Sequence, residues 1–173
     1  MSLAADRTGA LARPRAAAEP AAATAEPLAY VGLVTRVIAF AVDAALIQFA
    51  AIAVAGTLAL ILSVISLPDD LDPVIIALGS AAYLLWLVGY FVVFWSTTGQ
   101  TPGNRLLQIR VSRADDGAEP SAGVALFRFG ALVLAALPLF AGFLPILLDD
   151  RRRGAHDMLA GTVVVPAPPR PAR

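Results

Sequence analysis

The chain has 173 residues, of which 58% are hydrophobic and 15% charged, with a formal net charge of zero and a mean hydropathy of +0.75. Soluble domains average about 45–50% apolar and about 25% charged residues, so the composition predicts a single-domain integral membrane protein whose main partner is the lipid bilayer. The absence of cysteine excludes disulfides, thiolate metal sites and cysteine nucleophiles, and the neutral net charge gives no reason to expect nucleic acid as a partner.

Residues 1–29 form a low-complexity tail in which alanine dominates and prolines interrupt. The tail has too few large apolar residues to bury a core, which predicts disorder. No compact apolar stretch follows its arginines, so it is a poor signal peptide and we expect it to be retained. A second, proline-rich tail covers residues 167–173.

Two apolar segments, at residues 33–67 and 74–96, are each long enough to cross a bilayer, because a span needs about 20 residues. An acidic loop, Pro68–Pro73, separates them. Tyr90 and Trp95 lie near the end of the second segment, where aromatic side chains commonly anchor a span at the membrane interface.

The polar stretch that follows predicts a small β element. Leu107–Val111 alternates apolar and polar residues, which is typical of a strand, and Thr162–Val165 is rich in β-branched residues. Ser121 is placed to cap a third helix. We therefore expect two strands that pair on one side of the membrane, in an otherwise helical domain covering residues 30–166.

The third apolar segment, residues 124–148, is interrupted by Pro138, Gly142 and Pro145. It either crosses the membrane once or folds back as a re-entrant segment or short hairpin, and we favour the second alternative. Arginines before the first segment, after the second and after the third predict that the N-terminus, the β element and the C-terminal part are all cytoplasmic. The predicted fold is an all-α membrane protein of the plasma membrane with three long transmembrane segments and a small cytoplasmic two-stranded β element.

Charged and polar side chains inside apolar segments mark the candidate site. Asp43 is the only charged residue between Val37 and Leu67, and Arg36 lies seven positions before it, on the same helix face. An ionisable residue inside a span is costly unless it faces protein, water or a counter-ion. Arg128 and Gln48 are secondary candidates within apolar segments.

His156 and Asp157 follow the third segment, and a histidine beside an aspartate can titrate near neutral pH. The chain has one histidine, which excludes a histidine-rich metal site, and we expect no metal and no cofactor. No phosphate-binding loop and no nucleophile elbow is present, so we do not expect an enzyme.

Three stretches together resemble the RDD family of small membrane proteins. They are Tyr30-Val31-Gly32 leading through Arg36 to Asp43, the stretch Thr98–Leu107 followed by Ile109-Arg110-Val111, and Arg152–Val164. The resemblance covers about residues 30–166 and implies that the family's arginine and two aspartates are Arg36, Asp43 and Asp157, with Asp149 as the alternative to Asp157. Asn104 departs from the pattern, which usually has a basic residue there.

Two functions fit these observations. Transport is the role usually suggested for the family, and here Asp43 would bind a proton, a small ion or a solute, with Arg36 adjusting its charge. A conduction path would then form between copies of a homo-oligomer, because so few segments enclose little volume. Alternatively, the chain is a structural or accessory protein in which the arginines and aspartates only hold the fold or a partner.

Overall fold

The computed structural model describes residues 30–65, 68 and 71–168. The tail predicted to be disordered, residues 1–29, lies outside the described residues. Residues 66–67, 69–70 and 169–173 lie outside them as well.

Two long helices dominate the structure. Helix α1 covers Leu33–Val64 and helix α2 covers Asp72–Thr98. At 1.5 Å per residue both exceed the ~30 Å of a bilayer's hydrocarbon core. They are the two helices of the described residues that are long and apolar enough to cross a membrane. Helix α2 has a proline in its first turn, where its missing N–H costs no hydrogen bond within the helix. The helix ends at Gly99, which has the left-handed conformation.

A short helix and a strand follow α2. Helix α3 covers Pro102–Leu106, and strand β1 covers Ile109–Arg113. Strand β1 pairs antiparallel with β2, Thr162–Pro166, with Val111 opposite Val164. The predicted pairing is confirmed, but β1 begins two residues later than predicted, because Leu107 closes α3 and Gln108 has a positive φ of 53°.

The third apolar segment forms a 15-residue helix, α4, at Ala122–Ala136, whose first turn is capped by the Ser121 side chain as predicted. The chain then reverses through Leu139 and Phe140, which both have positive φ. A 3-10 turn at Ala141–Phe143 packs back against the end of α4, and α5 covers Pro145–Leu148. The segment therefore bends where its prolines and glycine interrupt it, and a third complete span is not confirmed.

Helix α6, Ala155–Ala160, packs against α4 and leads directly into β2. The Val31 N–H donates to the Val164 carbonyl at 3.1 Å, so the chain before α1 lies along the second edge of β2. The buried core occupies the end of the helix pair that carries the sheet, which we call the sheet end. Beyond Ile47 on α1 and before Phe91 on α2, neither helix has a buried residue.

Candidate functional site

A single stripe of α1 faces the interior at the sheet end. Its buried residues are Arg36, Ala39, Asp43 and Ile47, spaced three or four positions apart as one helix face requires. The prediction that Arg36 and Asp43 share a face is confirmed. They serve two different clusters, which we call the Asp157 cluster and the Asp43 cluster.

Asp157 lies in the first turn of α6 and is fully buried. Its carboxylate accepts hydrogen bonds from Arg36 Nη1 and, at 2.5 Å, from Arg128 Nη2. It also accepts the Gly154 N–H at 3.1 Å and the Thr162 hydroxyl at 3.3 Å. One carboxylate thus joins α1, α4, the start of α6 and the start of β2.

Arg36 uses its remaining donors on backbone carbonyls. Nε donates to the Val31 carbonyl at 3.1 Å, and Nη2 donates to the Arg152 carbonyl at 2.6 Å. These bonds hold the chain before α1 and the loop before α6 against the first turns of α1. Because each nitrogen is occupied by protein, the side chain does not snorkel toward headgroups.

Arg128 lies in the middle of α4 and is also fully buried. Its Nε donates to the Thr162 hydroxyl at 3.1 Å, and its guanidinium lies over the Trp95 ring, 4.4 Å from the centroid. This cation–π contact corrects the prediction that Trp95 anchors the span at the interface, since Trp95 is only 1% exposed. Tyr90 is likewise turned inward, toward Asp43.

A cavity of about 10 Å³ lies between Arg36, Arg128, Trp95 and Asn104. Among the described residues, Arg128 Nη1 and Trp95 Nε1 have no hydrogen-bond acceptor. A volume of this size holds about one water molecule. Asn104, at the position that departs from the RDD pattern, brings no charge to this cavity.

The ionisation of the Asp157 cluster follows from burial and from its two arginines. Burial raises the pKa of Asp157, but the positive charges of Arg128 and Arg36 outweigh burial and hold that pKa below its ordinary value. Burial, together with the positive charge of Arg128, lowers the pKa of His156 from 6.5 to about 4. His156 is therefore neutral at pH 7 and does not titrate near neutrality, contrary to the expectation from the sequence.

The Asp43 cluster is built from hydroxyl and amide donors. The Tyr90 hydroxyl donates to Oδ1 at 2.8 Å, the Gly103 N–H donates to Oδ1 at 2.7 Å, and the Thr101 hydroxyl donates to Oδ2 at 2.5 Å. Within the described part of the chain, Asp43 makes no ion pair, with Arg36 or with any other cation.

Gly103 is required for this contact. A Cβ at Gly103 would lie 2.2 Å from the Ala39 carbonyl oxygen and 2.9 Å from the Asp43 carboxylate. Thr101 holds the first turn of α3 through the Asn104 N–H. Helix α3 therefore packs backbone to backbone on α1, with Asp43 as the acceptor for its first turn.

The structure brings four of the predicted site residues together, namely Arg36, Asp157, His156 and Arg128. Asp43 lies apart from them in its own cluster. Asp149 pairs instead with Arg153 at 2.9 Å in the loop before α6, outside both clusters. Gln48 is exposed on α1 and only accepts a long hydrogen bond, 3.5 Å, from Tyr83.

Several participants were not predicted as site residues, among them Thr101, Tyr90, Gly103 and Thr162. Thr101-Pro102-Gly103 carried a signal, because threonine followed by proline is typical of a helix start. Nothing in the sequence links that start to Asp43. No group of three or more histidine, cysteine or acidic residues that could hold a metal occurs in the ranges the structure describes.

Comparison with known proteins assigns the chain to a family. The chain is 28% identical over 85 residues to Uncharacterized protein RP437 of Rickettsia prowazekii (strain Madrid E), covering 49% of this chain and 47% of the relative. It thus spans about half the length of the curated relative it matches. No solved structure matches it. The model of the RDD family matches residues 30–161, which include the Asp43 cluster and all of the Asp157 cluster except Thr162, and the chain therefore belongs to the RDD family.

Proposed function

We propose that this protein is a structural or accessory membrane protein whose buried arginines and aspartates fasten a cytoplasmic cap to two transmembrane helices. The cap consists of the sheet, α3 and α6. The Asp157 cluster joins the cap to α1 and α4, and the Asp43 cluster joins α3 to α1 and α2. The observation that carries the proposal is the saturation of both carboxylates by donors from the chain itself.

A transport site must exchange its protein ligands for a moving ion or solute. Asp43 is 1% exposed, and its three donors come from two parts of the fold, helix α2 and the first turn of α3. Releasing Asp43 would also release the first turn of α3, since Thr101 and the Gly103 N–H belong to that turn. A fastening role accounts for each of these bonds without any movement.

The membrane topology forms part of the proposal. Strand β1 precedes α4 and strand β2 follows α5, yet the two strands are hydrogen-bonded. Paired strands lie on one side of the membrane, which supports a third segment that enters the bilayer and returns. The tip of that segment has the side chains expected for this role, since Leu139 is 93% and Phe140 67% exposed. Backbone that is not helical is tolerated at such depth where its polar groups are bonded internally, as the Phe140 and Ala141 amides are here.

The arginines orient the protein. Arg110 and Arg113 of β1 and Arg151–Arg153 of the loop before α6 all belong to the sheet end. The positive-inside rule supports a cytoplasmic sheet end and N-terminus, and we propose the plasma membrane as the location. The acidic loop between α1 and α2 would face the exterior.

Cysteine labelling in intact cells tests this topology, because the chain has no cysteine of its own. Asp72→Cys should react with an impermeant maleimide, whereas Asp115→Cys and Arg151→Cys should react only after permeabilisation. Labelling of Arg151→Cys together with Asp72→Cys would mean that the third segment crosses completely, and the proposed cap would then be wrong.

Transport remains a second candidate because of one observation. Asp43 lies inside a span and has no cation beside it in the described part of the chain, so its charge is balanced only by dipoles. Such a carboxylate is placed to take up a proton or a small cation. The path would then form between copies of the protein in a homo-oligomer.

The Asp43→Asn substitution separates the two functions. It keeps the shape of the side chain but leaves one donor of the Asp43 cluster without an acceptor, so the fastening role predicts a lower melting temperature in detergent. Proteoliposomes containing the wild-type protein or the variant should show equal, background ion flux. Gln48→Leu is the matched control, since it removes an exposed polar group from the same helix. Wild-type flux that disappears in a stably folded Asp43→Asn protein would establish transport instead.

A further inference from the structure

A groove that neither cluster uses runs between α1 and the reversal after α4. It encloses about 1120 Å³. Leu33, Val37 and Phe40 of α1 form one wall, and Leu132 and Val133 of α4 begin the other. Every side chain that lines the groove is apolar, including the reversal itself from Leu137 to Leu144. Its contents must therefore be hydrocarbon or an apolar protein surface.

Arg152, which does not itself line the groove, places a charge near the start of α1, where the groove begins. The Arg152 guanidinium lies beside Gly32, the residue before Leu33, so closely that a Cβ there would come within 2.7 Å of Nη1. The Arg152 backbone is fixed, because its carbonyl accepts the bond from Arg36. The guanidinium pairs with no carboxylate among the described residues, whereas its neighbour Arg153 pairs with Asp149.

We propose that this groove binds one anionic phospholipid, with an acyl chain along the wall formed by Leu33, Val37 and Phe40 and the phosphate at Arg152. Charge complementarity selects this occupant. An apolar groove that ends at an unpaired cation matches a hydrocarbon tail that ends at an anion. A transmembrane helix from a second copy would fill the groove without supplying a negative charge at Arg152. The lipid site does not depend on whether the protein fastens a cap or transports an ion.

Quenching by brominated lipids tests the site. The chain has two tryptophans, and Trp95 is buried, so a Trp86→Phe background leaves the lipid-facing surface without tryptophan. Val133→Trp then reports from the groove, and Leu144→Trp serves if that variant does not fold. Val93→Trp, which is 56% exposed on α2 and outside the groove, is the control reporter. The probes are phosphatidylcholine vesicles that contain either brominated phosphatidylglycerol or brominated phosphatidylcholine at equal mole fraction.

We expect the groove reporter to prefer phosphatidylglycerol by about fivefold in relative affinity, the effect of one arginine near an anionic lipid, and the control reporter to show no preference. Arg152→Gln should remove the preference, and Arg151→Gln, which changes an exposed arginine of the same loop, should retain it. Equal quenching by the two lipids at the groove would overturn the proposal. An equal loss of the phosphatidylglycerol preference in both arginine variants would also overturn the proposal, since the anionic lipid would then be attracted by the overall charge of the loop and not by Arg152. Disulfide crosslinking of Val133→Cys between copies, with no lipid preference, would assign the groove to a second copy instead.

Discussion

Removing Asp157 should cost more stability than any other single change in the Asp157 cluster. In the Asp157→Ala protein, Arg36 and Arg128 remain charged, buried and without a carboxylate. Breaking a buried ion pair by removing one partner costs about 3–5 kcal/mol, so we expect a loss of that order in the free energy of unfolding. Arg36→Ala should cost less, about 3 kcal/mol, because Arg128 still neutralises Asp157 and the loss is mainly three hydrogen bonds of about 1 kcal/mol each.

The double variant distinguishes coupling from two independent effects. Once Asp157 is gone, removing Arg36 also removes one unpaired buried charge, so the second loss should be smaller than in the wild-type background. We expect a coupling energy of about 1–3 kcal/mol, within the range for residues in direct contact. Denaturant titration of the purified protein in a mild detergent, followed by tryptophan fluorescence, gives all four free energies of the cycle.

Asp149 and Arg153 supply the control cycle. They form an ion pair of 2.9 Å in the loop before α6, and both side chains are partly open to solvent. Exposed ion pairs contribute little to stability, so we expect the losses of unfolding free energy from the two substitutions to be small and nearly additive. Strictly additive losses for Arg36 and Asp157 would refute the idea that this pair fastens the cap.

Two further predictions concern Gly103 and His156. Gly103→Ala should destabilise the protein strongly, since its new Cβ would meet the Ala39 carbonyl oxygen at 2.2 Å, whereas Gly56→Ala on α1, with open space around it, should be neutral or slightly stabilising in the same thermal melt. Because the pKa of His156 is lowered from 6.5 to about 4, the unfolded chain binds a proton between these pH values that the folded protein does not bind. Stability should therefore be full above pH 6.5 and fall as the pH drops toward 4, by at most about 3 kcal/mol. If the unfolding free energies of the wild-type and His156→Gln proteins changed with pH to the same extent across this range, the assignment would be contradicted.

Local patterns in the sequence were sufficient for much of the fold. Two uninterrupted apolar runs gave both long helices, since length and hydropathy alone decide whether a helix can span. The alternation of apolar and polar residues in one run and the β-branched residues of the other predicted the sheet. The later start of β1 could not be predicted, because it depends on how Leu107 closes α3. The helix N-cap at Ser121 could also be predicted from neighbouring residues alone.

The contacts within the site depend on parts of the chain that are far apart. Arg36 and Asp157 are separated by 121 positions, and Asp43 and Thr101 by 58. The sequence placed Arg36 and Asp43 on one face, but nothing in it identified Tyr90, Thr101 and Gly103 as the partners of Asp43. Trp95 illustrates the same limit: its position at the end of a span favours an interfacial anchor, and only the approach of Arg128 from α4 makes it a buried stacking partner.

The hydrogen bond from Val31 to Val164 means that the two ends of the membrane domain lie next to each other. A linker of a few residues would join these ends, and new termini could then be opened elsewhere, for example in the exposed turn at Asp115-Asp116. Such a circularly permuted protein would keep the packing contacts among α1, α2 and the reversal after α4. It would also free both natural tails for removal, so the membrane domain could be studied without residues 1–29.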